Sequence, residues 1–310
     1  MTDTGLYHET DYPVAARLVQ LFFALISGMV IAQFGLDLLI TQLGGTELSA
    51  QLSALKSGED VSPYPALVLQ ALNQLSGFGL AALVLNFSTG ESLLAWRKVP
   101  VPGFIWFYIP LLIALALPGS AAISFNAQSF ALPGALHELE ILLEETENES
   151  AQMIAGLLQT QSLPDRLLRL CIFALIPALC EEFFFRGALL SLISRKLPLH
   201  LAVWITAFIF SLVHFQVFGF FARAALGALF AYLRAYTGSI WPAVWGHFLF
   251  NAGSLLLFYQ LFPGLDFNED PASISPLLQW LCLFLCLLLS FSGLLYLHKR
   301  PDTNGSESPA

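Results

Sequence analysis

Six polar side chains stand inside apolar stretches of this chain, and together they have the makings of a hydrolytic site. The run Cys180-Glu181-Glu182-Phe183-Phe184-Phe185-Arg186-Gly187 places two carboxylates and a guanidinium in one stretch. Phe210-Ser211-Leu212-Val213-His214 places an imidazole in the next, and His247-Phe248-Leu249-Phe250-Asn251 places an imidazole and a carboxamide in a third. A carboxylate beside a histidine can take a proton from water. A histidine beside an asparagine can donate to an oxyanion, most effectively where water is excluded. Glu182 and Arg186 are four apart and share a helix face, so they can pair. Glu181 is rotated by about 100° from Glu182 and can point elsewhere. A carboxylate paired with Arg186 stays ionised, which leaves its neighbour to trade protons. His247 and Asn251 likewise project from one face. The sequence holds no Gly-x-Ser-x-Gly and no His-Glu-x-x-His, so neither a serine elbow nor a zincin helix is encoded.

Each of these residues also has a structural reading. A lone histidine inside a membrane is ordinarily a hydrogen-bonded interior residue, and a Glu182–Arg186 pair could simply staple helices. Neither reading accounts for Glu181. The other histidines, His8, His137, His200 and His298, fall in tails, loops or span ends, so both deep histidines belong to the same polar set.

The elements that carry these groups follow from composition. Of 310 residues, 56% are hydrophobic and 11% are charged, against about 25% charged in a soluble domain. That balance cannot cover a water-facing surface. It excludes a soluble enzyme, a disordered chain, a nucleic-acid binder and a disulfide-stapled secreted domain. The expected fold is an all-α integral membrane bundle of about eight transmembrane helices, each needing about 20 apolar residues. The apolar stretches are 16–41, 64–87, 104–124, 166–194, 198–217, 218–236, 239–261 and 277–297. Pro110 and Pro118 interrupt the third, and Gln216 and Gly219 are the only punctuation between the fifth and sixth. The site then lies among spans 4, 5 and 7. Segments 1–163 (three spans and an acidic outer loop), 164–261 (spans 4 to 7) and 262–310 (last span and polar tail) are expected to form one structural unit.

Eight spans put Arg17, Arg97, Lys98, Arg195, Lys196, Arg234, Lys299 and Arg300 on one side, which predicts an N-in, C-in topology. The other side receives Lys56, Arg166, Arg169 and the acidic loop 125–163. Apolar spacing in that loop (Leu136, Leu139, Leu143, Ile154, Leu157, Leu158) predicts one or two amphipathic helices at the outer interface, read as a solvated surface rather than a lid. Arg223, early in the sixth span, is expected to snorkel to the interface rather than to line the cavity. Cys171, Cys180, Cys282 and Cys286 lie in apolar runs and read as small buried hydrophobes. The polar, acidic N-terminus does not read as a cleavable signal peptide.

The three motifs, in order, resemble those of the CPBP family of intramembrane proteases, also called the Abi or type II CAAX prenyl endopeptidase family. The family's pattern of Glu-Glu-x-x-x-Arg, Phe-x-x-x-His and His-x-x-x-Asn is matched here by Glu181-Glu182-x-x-x-Arg186, Phe210-x-x-x-His214 and His247-x-x-x-Asn251. The likeness covers about residues 165–255, including Tyr236-Thr237-Gly238-Ser239-Ile240-Trp241-Pro242. It implies an intramembrane endopeptidase in which Glu181 and His214 activate water, His247 and Asn251 form the oxyanion site, and Glu182 and Arg186 support them. The implied substrate is a membrane-associated peptide or a lipidated protein tail. The eukaryotic branch of the family removes the terminal tripeptide of prenylated proteins, and many bacterial members are linked to bacteriocin immunity or unidentified peptides. The expected setting is a bacterial inner membrane.

No cofactor is expected, because a glutamate-activated water needs no metal. Were zinc bound, Glu181, His214 and His247 would be its ligands. Two other readings use the same residues. A proton-coupled transporter would run a relay through Glu181, Glu182 and Arg186, but the sequence shows no inverted repeat. A non-catalytic immunity or scaffold protein would keep the set as structure.

Overall fold

The computed structural model describes residues 13–43, 45, 47–57, 61–89, 101–128, 137–160, 162–261 and 275–299. The N-terminal 12 residues, Arg97, Lys98, residues 262–274, Arg300 and the tail beyond it carry expectations stated above that lie outside the described residues. Within them the chain forms ten helices and no strand. They are α1 (Val14–Gln42), α2 (Leu48–Lys56), α3 (residues 64–89), α4 (Ile105–Gln128) and α5 (His137–Leu158), followed by α6 (residues 163–193), α7 (Leu199–Leu212), α8 (Phe220–Thr237), α9 (Trp241–Leu261) and α10 (Pro276–Lys299). Eight of them coincide with the apolar stretches. Of the other two, the acidic α5 lies in the loop where an amphipathic helix was expected, and only the short α2 is an addition.

The distribution of apolar side chains is that of a membrane protein. Phe23 is 72% exposed, Phe107 83% and Phe291 64%, all on helices whose opposite faces are buried. An aqueous surface would not tolerate so many bare phenylalanines, whereas lipid does. By length and composition α1, α3, α4 and α10 can cross a bilayer. The helices that hold the polar residues, α6 and α9, are not among these four, and α7 is a shorter apolar helix.

α6 occupies the centre of the bundle, touched by α1, α3, α7, α8 and α9. One core joins Leu21 and Leu25 of α1, Phe78 of α3, Phe184 and Phe185 of α6, and Phe210 of α7. A second joins Ile105 and Ile109 of α4 to Phe230 of α8, Ala243 of α9 and Leu297 of α10. α1 and α3 cross in close contact at Gly28, where an added Cβ would run into the Ser76 carbonyl oxygen. The Ser76 hydroxyl donates across the crossing to the Gly28 carbonyl at 2.9 Å.

Three stretches depart from α-helical pitch and widen to π geometry. They are Asn73–Gly79 in α3 and Cys171–Leu175 and Phe183–Leu189 in α6. The last two flank the segment Ile176–Glu182 that carries both carboxylates. Such turns recur at functional sites because they rephase the side chains that follow.

The predicted spans 198–217 and 218–236 need correction. α7 stops at Leu212 and α8 starts at Phe220, so residues 213–219 form a connecting turn. Hydropathy concealed it because Val213, Phe215, Val217 and Phe218 continue the apolar run through the turn. His214 therefore lies just past a helix end and not within a helix. Its neighbour Phe215 has φ 53°, a left-handed conformation that a bulky residue adopts only when its surroundings impose it.

Arg223 contributes to this turn. Its guanidinium folds back and donates to the Gln216 side-chain oxygen at 2.6 Å, bracing the same turn. On the acidic side, Glu147 of α5 accepts the Phe218 backbone N–H at 3.3 Å, so α5 also leans on the turn that holds His214. The buried Arg169 donates to the Leu157 carbonyl at 2.6 Å and to the Gln159 carbonyl at 3.3 Å, fastening the end of α5 to α6.

Candidate active site

Five of the six polar residues meet in one cluster, built on α6 and completed by the 213–219 turn and α9. Glu182 and Arg186 are fully buried, Glu181 is 4% exposed and His247 is 5% exposed. Buried charge is tolerated only when partnered, and the partners are specific. The Arg186 guanidinium donates to Glu182 Oε1 at 2.7 Å and to the Gly227 carbonyl at 2.9 Å. The same Glu182 oxygen lies 2.8 Å from His247 Nδ1. One oxygen of Glu182 thus meets a cation on one side and an imidazole on the other.

These contacts settle the histidine tautomers. The Glu182 oxygen that pairs with Arg186 acts as an acceptor, which makes His247 Nδ1 the donor in that contact. A backbone carbonyl can only accept too, so His214 Nδ1, 2.7 Å from the Phe210 carbonyl, also donates. In a neutral imidazole the other nitrogen is then bare. Both bare Nε2 atoms approach a single oxygen, Glu181 Oε2, at 4.0 Å from His214 and 3.8 Å from His247.

Those separations are too long for direct hydrogen bonds and suit an oxygen atom lying between, at about 2.8 Å from each group. Glu181 Oε2 is buried and has no hydrogen-bond partner among the described residues. Three proton acceptors around one point form a place where a water would be stripped toward hydroxide. The His214 side chain is 31% exposed while those of Glu181 and His247 are 6% exposed, so the cluster is more open on the His214 side.

Phe210 shows why a phenylalanine precedes His214 by four residues. The Arg186 guanidinium lies 4.5 Å from its ring centroid, a cation–π contact worth most where water is absent. The same ring meets His214 edge-on at 5.1 Å and His247 at 5.8 Å between centroids. Phe230 stacks on the other face of His247 at 5.7 Å. Close approach of α7 and α8 at Ala207 and Gly227 brings the Gly227 carbonyl within reach of Arg186; a Cβ on Gly227 would press Phe210 Cδ1 at 3.1 Å.

Asn251 is placed differently. It lies one turn beyond His247 on α9, about 6 Å along the helix axis, is half-buried, and its side chain makes no hydrogen bond among the described residues. Gln74 of α3, by contrast, has a direct contact that motif reading missed. It is 9% exposed, and its amide donates to Glu181 Oε1 at 2.9 Å. The available signal was the run of carboxamides Gln70, Asn73 and Gln74 inside an apolar stretch.

The spacing of the donor set differs from that of a zinc site. Tetrahedral ligands at bond lengths of about 2.0–2.1 Å lie about 3.4 Å apart, and the Glu181–histidine separations of 3.8 and 4.0 Å exceed that edge. Among the described residues no three His, Cys, Asp or Glu side chains are grouped to hold a metal ion. The cluster as built does not fit a tetrahedral zinc, and the chemistry below routes no step through one.

Comparison with known proteins gives an independent view of the same segment. Over 127 residues the chain is 26% identical to a protein of Bacillus subtilis (strain 168) named "Putative membrane peptidase YdiL", a match covering 41% of this chain and 49% of that protein. The chain thus spans about half the length of the curated relative it matches. No solved structure matches the chain. Residues 163–253 match the family model described as type II CAAX prenyl endopeptidase Rce1-like. The matched stretch is the one that supplies Glu181, Glu182, Arg186, His214, His247 and Asn251.

Proposed function

We propose that this protein is an intramembrane endopeptidase that hydrolyses a peptide bond in membrane-associated peptides or lipidated protein tails. The observation that carries this reading is the convergence of Glu181 Oε2 with two imidazole Nε2 atoms, each imidazole fixed from behind by an acceptor at its Nδ1. A water held there loses a proton to Glu181, with His214 sharing the charge, and attacks the scissile carbonyl. His247 serves the oxyanion. Its bare Nε2 takes a proton from solvent when substrate binds, and as an imidazolium it then donates from both nitrogens, to Glu182 on one side and to the oxyanion on the other, while Glu182 balances its charge. Asn251 adds a donor to the oxyanion once substrate brings the carbonyl along α9. The proton on Glu181 then passes to the leaving amine.

The match to the Rce1-like model and the likeness to a protein named as a membrane peptidase support the reaction class. The exposed apolar faces of the helices support a bilayer setting. The eight-span, N-in and C-in topology in a bacterial inner membrane, and the working of residues 1–163, 164–261 and 262–310 as one unit, belong to the same proposal.

The test is cleavage by the purified protein in liposomes, read by mass spectrometry, with transmembrane peptides and lipidated-tail peptides offered separately and a chelator present in parallel. The expected result is a new peptide terminus from at least one class, formed equally with the chelator. Folded protein that leaves both classes intact contradicts the proposal.

A further inference from the structure

We propose that Gln74, a residue outside the Rce1-like segment, is a positioning residue for Glu181, so that the first half of the chain completes the active site. The inference rests on the peptidase reading above. A carboxylate only accepts hydrogen bonds, so the amide end of Gln74 must face Glu181, and the contact at 2.9 Å is a donation from Nε2 to Oε1. Holding Oε1 toward α3 leaves Oε2 as the oxygen turned to both histidines.

The adjacent carboxylates are thereby held in opposite ways. Glu182 is gripped by the Arg186 cation and serves as a fixed counter-charge. Glu181 is held by a neutral amide, which restrains its geometry without neutralising it and leaves it able to act as a base. The chain is shaped to deliver this amide. Gln74 lies in the π stretch Asn73–Gly79, whose wider turn sets its direction. The stretch is locked to α1 through Ser76 and Gly28. It also presses closely on α6 at Gly79, where an added Cβ would meet Cys180 Sγ at 3.2 Å, directly beside Glu181 in sequence.

The test uses the full-length protein in liposomes with a peptide that the wild type cleaves, and compares Gln74→Met, which keeps the length of the side chain and removes the donor. The expected result is a kcat lower by about 10- to 100-fold, the range for one hydrogen bond to a charged group. KM is expected to stay within about two-fold, because the lost interaction does not touch substrate. Gln74→Met combined with Glu181→Gln is expected to turn over no more slowly than Glu181→Gln alone, since Gln74 acts through Glu181; a merely structural role would slow it further. A folded Gln74→Met enzyme with wild-type kcat overturns the assignment and leaves the peptidase reading standing. If Gln74→Met does not fold, Gln74→Ala is measured in the same way, and loss of fold in both assigns Gln74 to structure and overturns the proposal. Failure of the wild type to cleave any peptide overturns the peptidase reading and this inference with it.

Discussion

Glu181→Gln is expected to lower kcat by about 10³-fold, within the range for loss of a positioned general base, while the protein keeps its thermal midpoint. The substitution isolates proton transfer. A glutamine at 181 keeps the size of the side chain, and its carbonyl oxygen can still accept from Gln74 as Glu181 Oε1 does at 2.9 Å. What disappears is the second acceptor oxygen near His214 and His247. Its replacement, an amide nitrogen, presents protons to the bridging water instead of accepting them. KM for the cleaved peptide is expected to change little, because the base does not hold substrate in the ground state. The assay is steady-state cleavage in liposomes alongside thermal unfolding of both proteins. Wild-type kcat in the folded variant would remove Glu181 from the chemistry.

The second large effect is on stability. Arg186→Met is expected to cost about 3–5 kcal/mol, because it strands the fully buried Glu182 without its cation. It also removes the hydrogen bond to the Gly227 carbonyl and the cation–π contact with Phe210, so three packed helices lose a shared anchor. The double variant Glu182→Gln, Arg186→Met removes the stranded charge and is expected to recover a large part of the loss. His247 would then face a neutral amide, so the recovered protein should remain slow in catalysis. Thermal unfolding in detergent, with cleavage by the refolded fraction, reads both quantities. Wild-type stability in Arg186→Met would show that the pair does not hold the bundle together.

Much of the architecture was legible because bilayer thickness leaves a blunt mark on sequence. Apolar stretches of about 20 residues predicted the places of eight helices, and Glu182 and Arg186 at a four-residue spacing pair at 2.7 Å. The family likeness rests on residues 163–253, the same stretch whose motifs stood out by sequence. What hydropathy could not show was where a helix ends inside an apolar run. His214 sits in a turn, yet Phe215, Val217 and Phe218 read as more membrane. Nor could a fixed 3.6-residue period reveal the π stretches that set the directions of Gln74 and of the residues around Glu181 and Glu182. Gln74 was overlooked for a further reason. A neutral amide costs less to bury than an ion, so an amide in a span draws less attention, although it can hold a carboxylate at normal hydrogen-bond length. Asn251 shows the converse: same-face spacing with His247 placed it one turn away, but spacing alone does not create a contact.

The most direct test of the central claim compares membrane peptides from cells that carry the wild-type protein with those from cells that carry Glu181→Ala at equal abundance and thermal stability. Mass spectrometry reads every peptide terminus. The account predicts one or more termini present only with the wild type, generated from a membrane-associated peptide or a lipidated tail. Identical termini in the two cell populations, with both proteins folded, would contradict it.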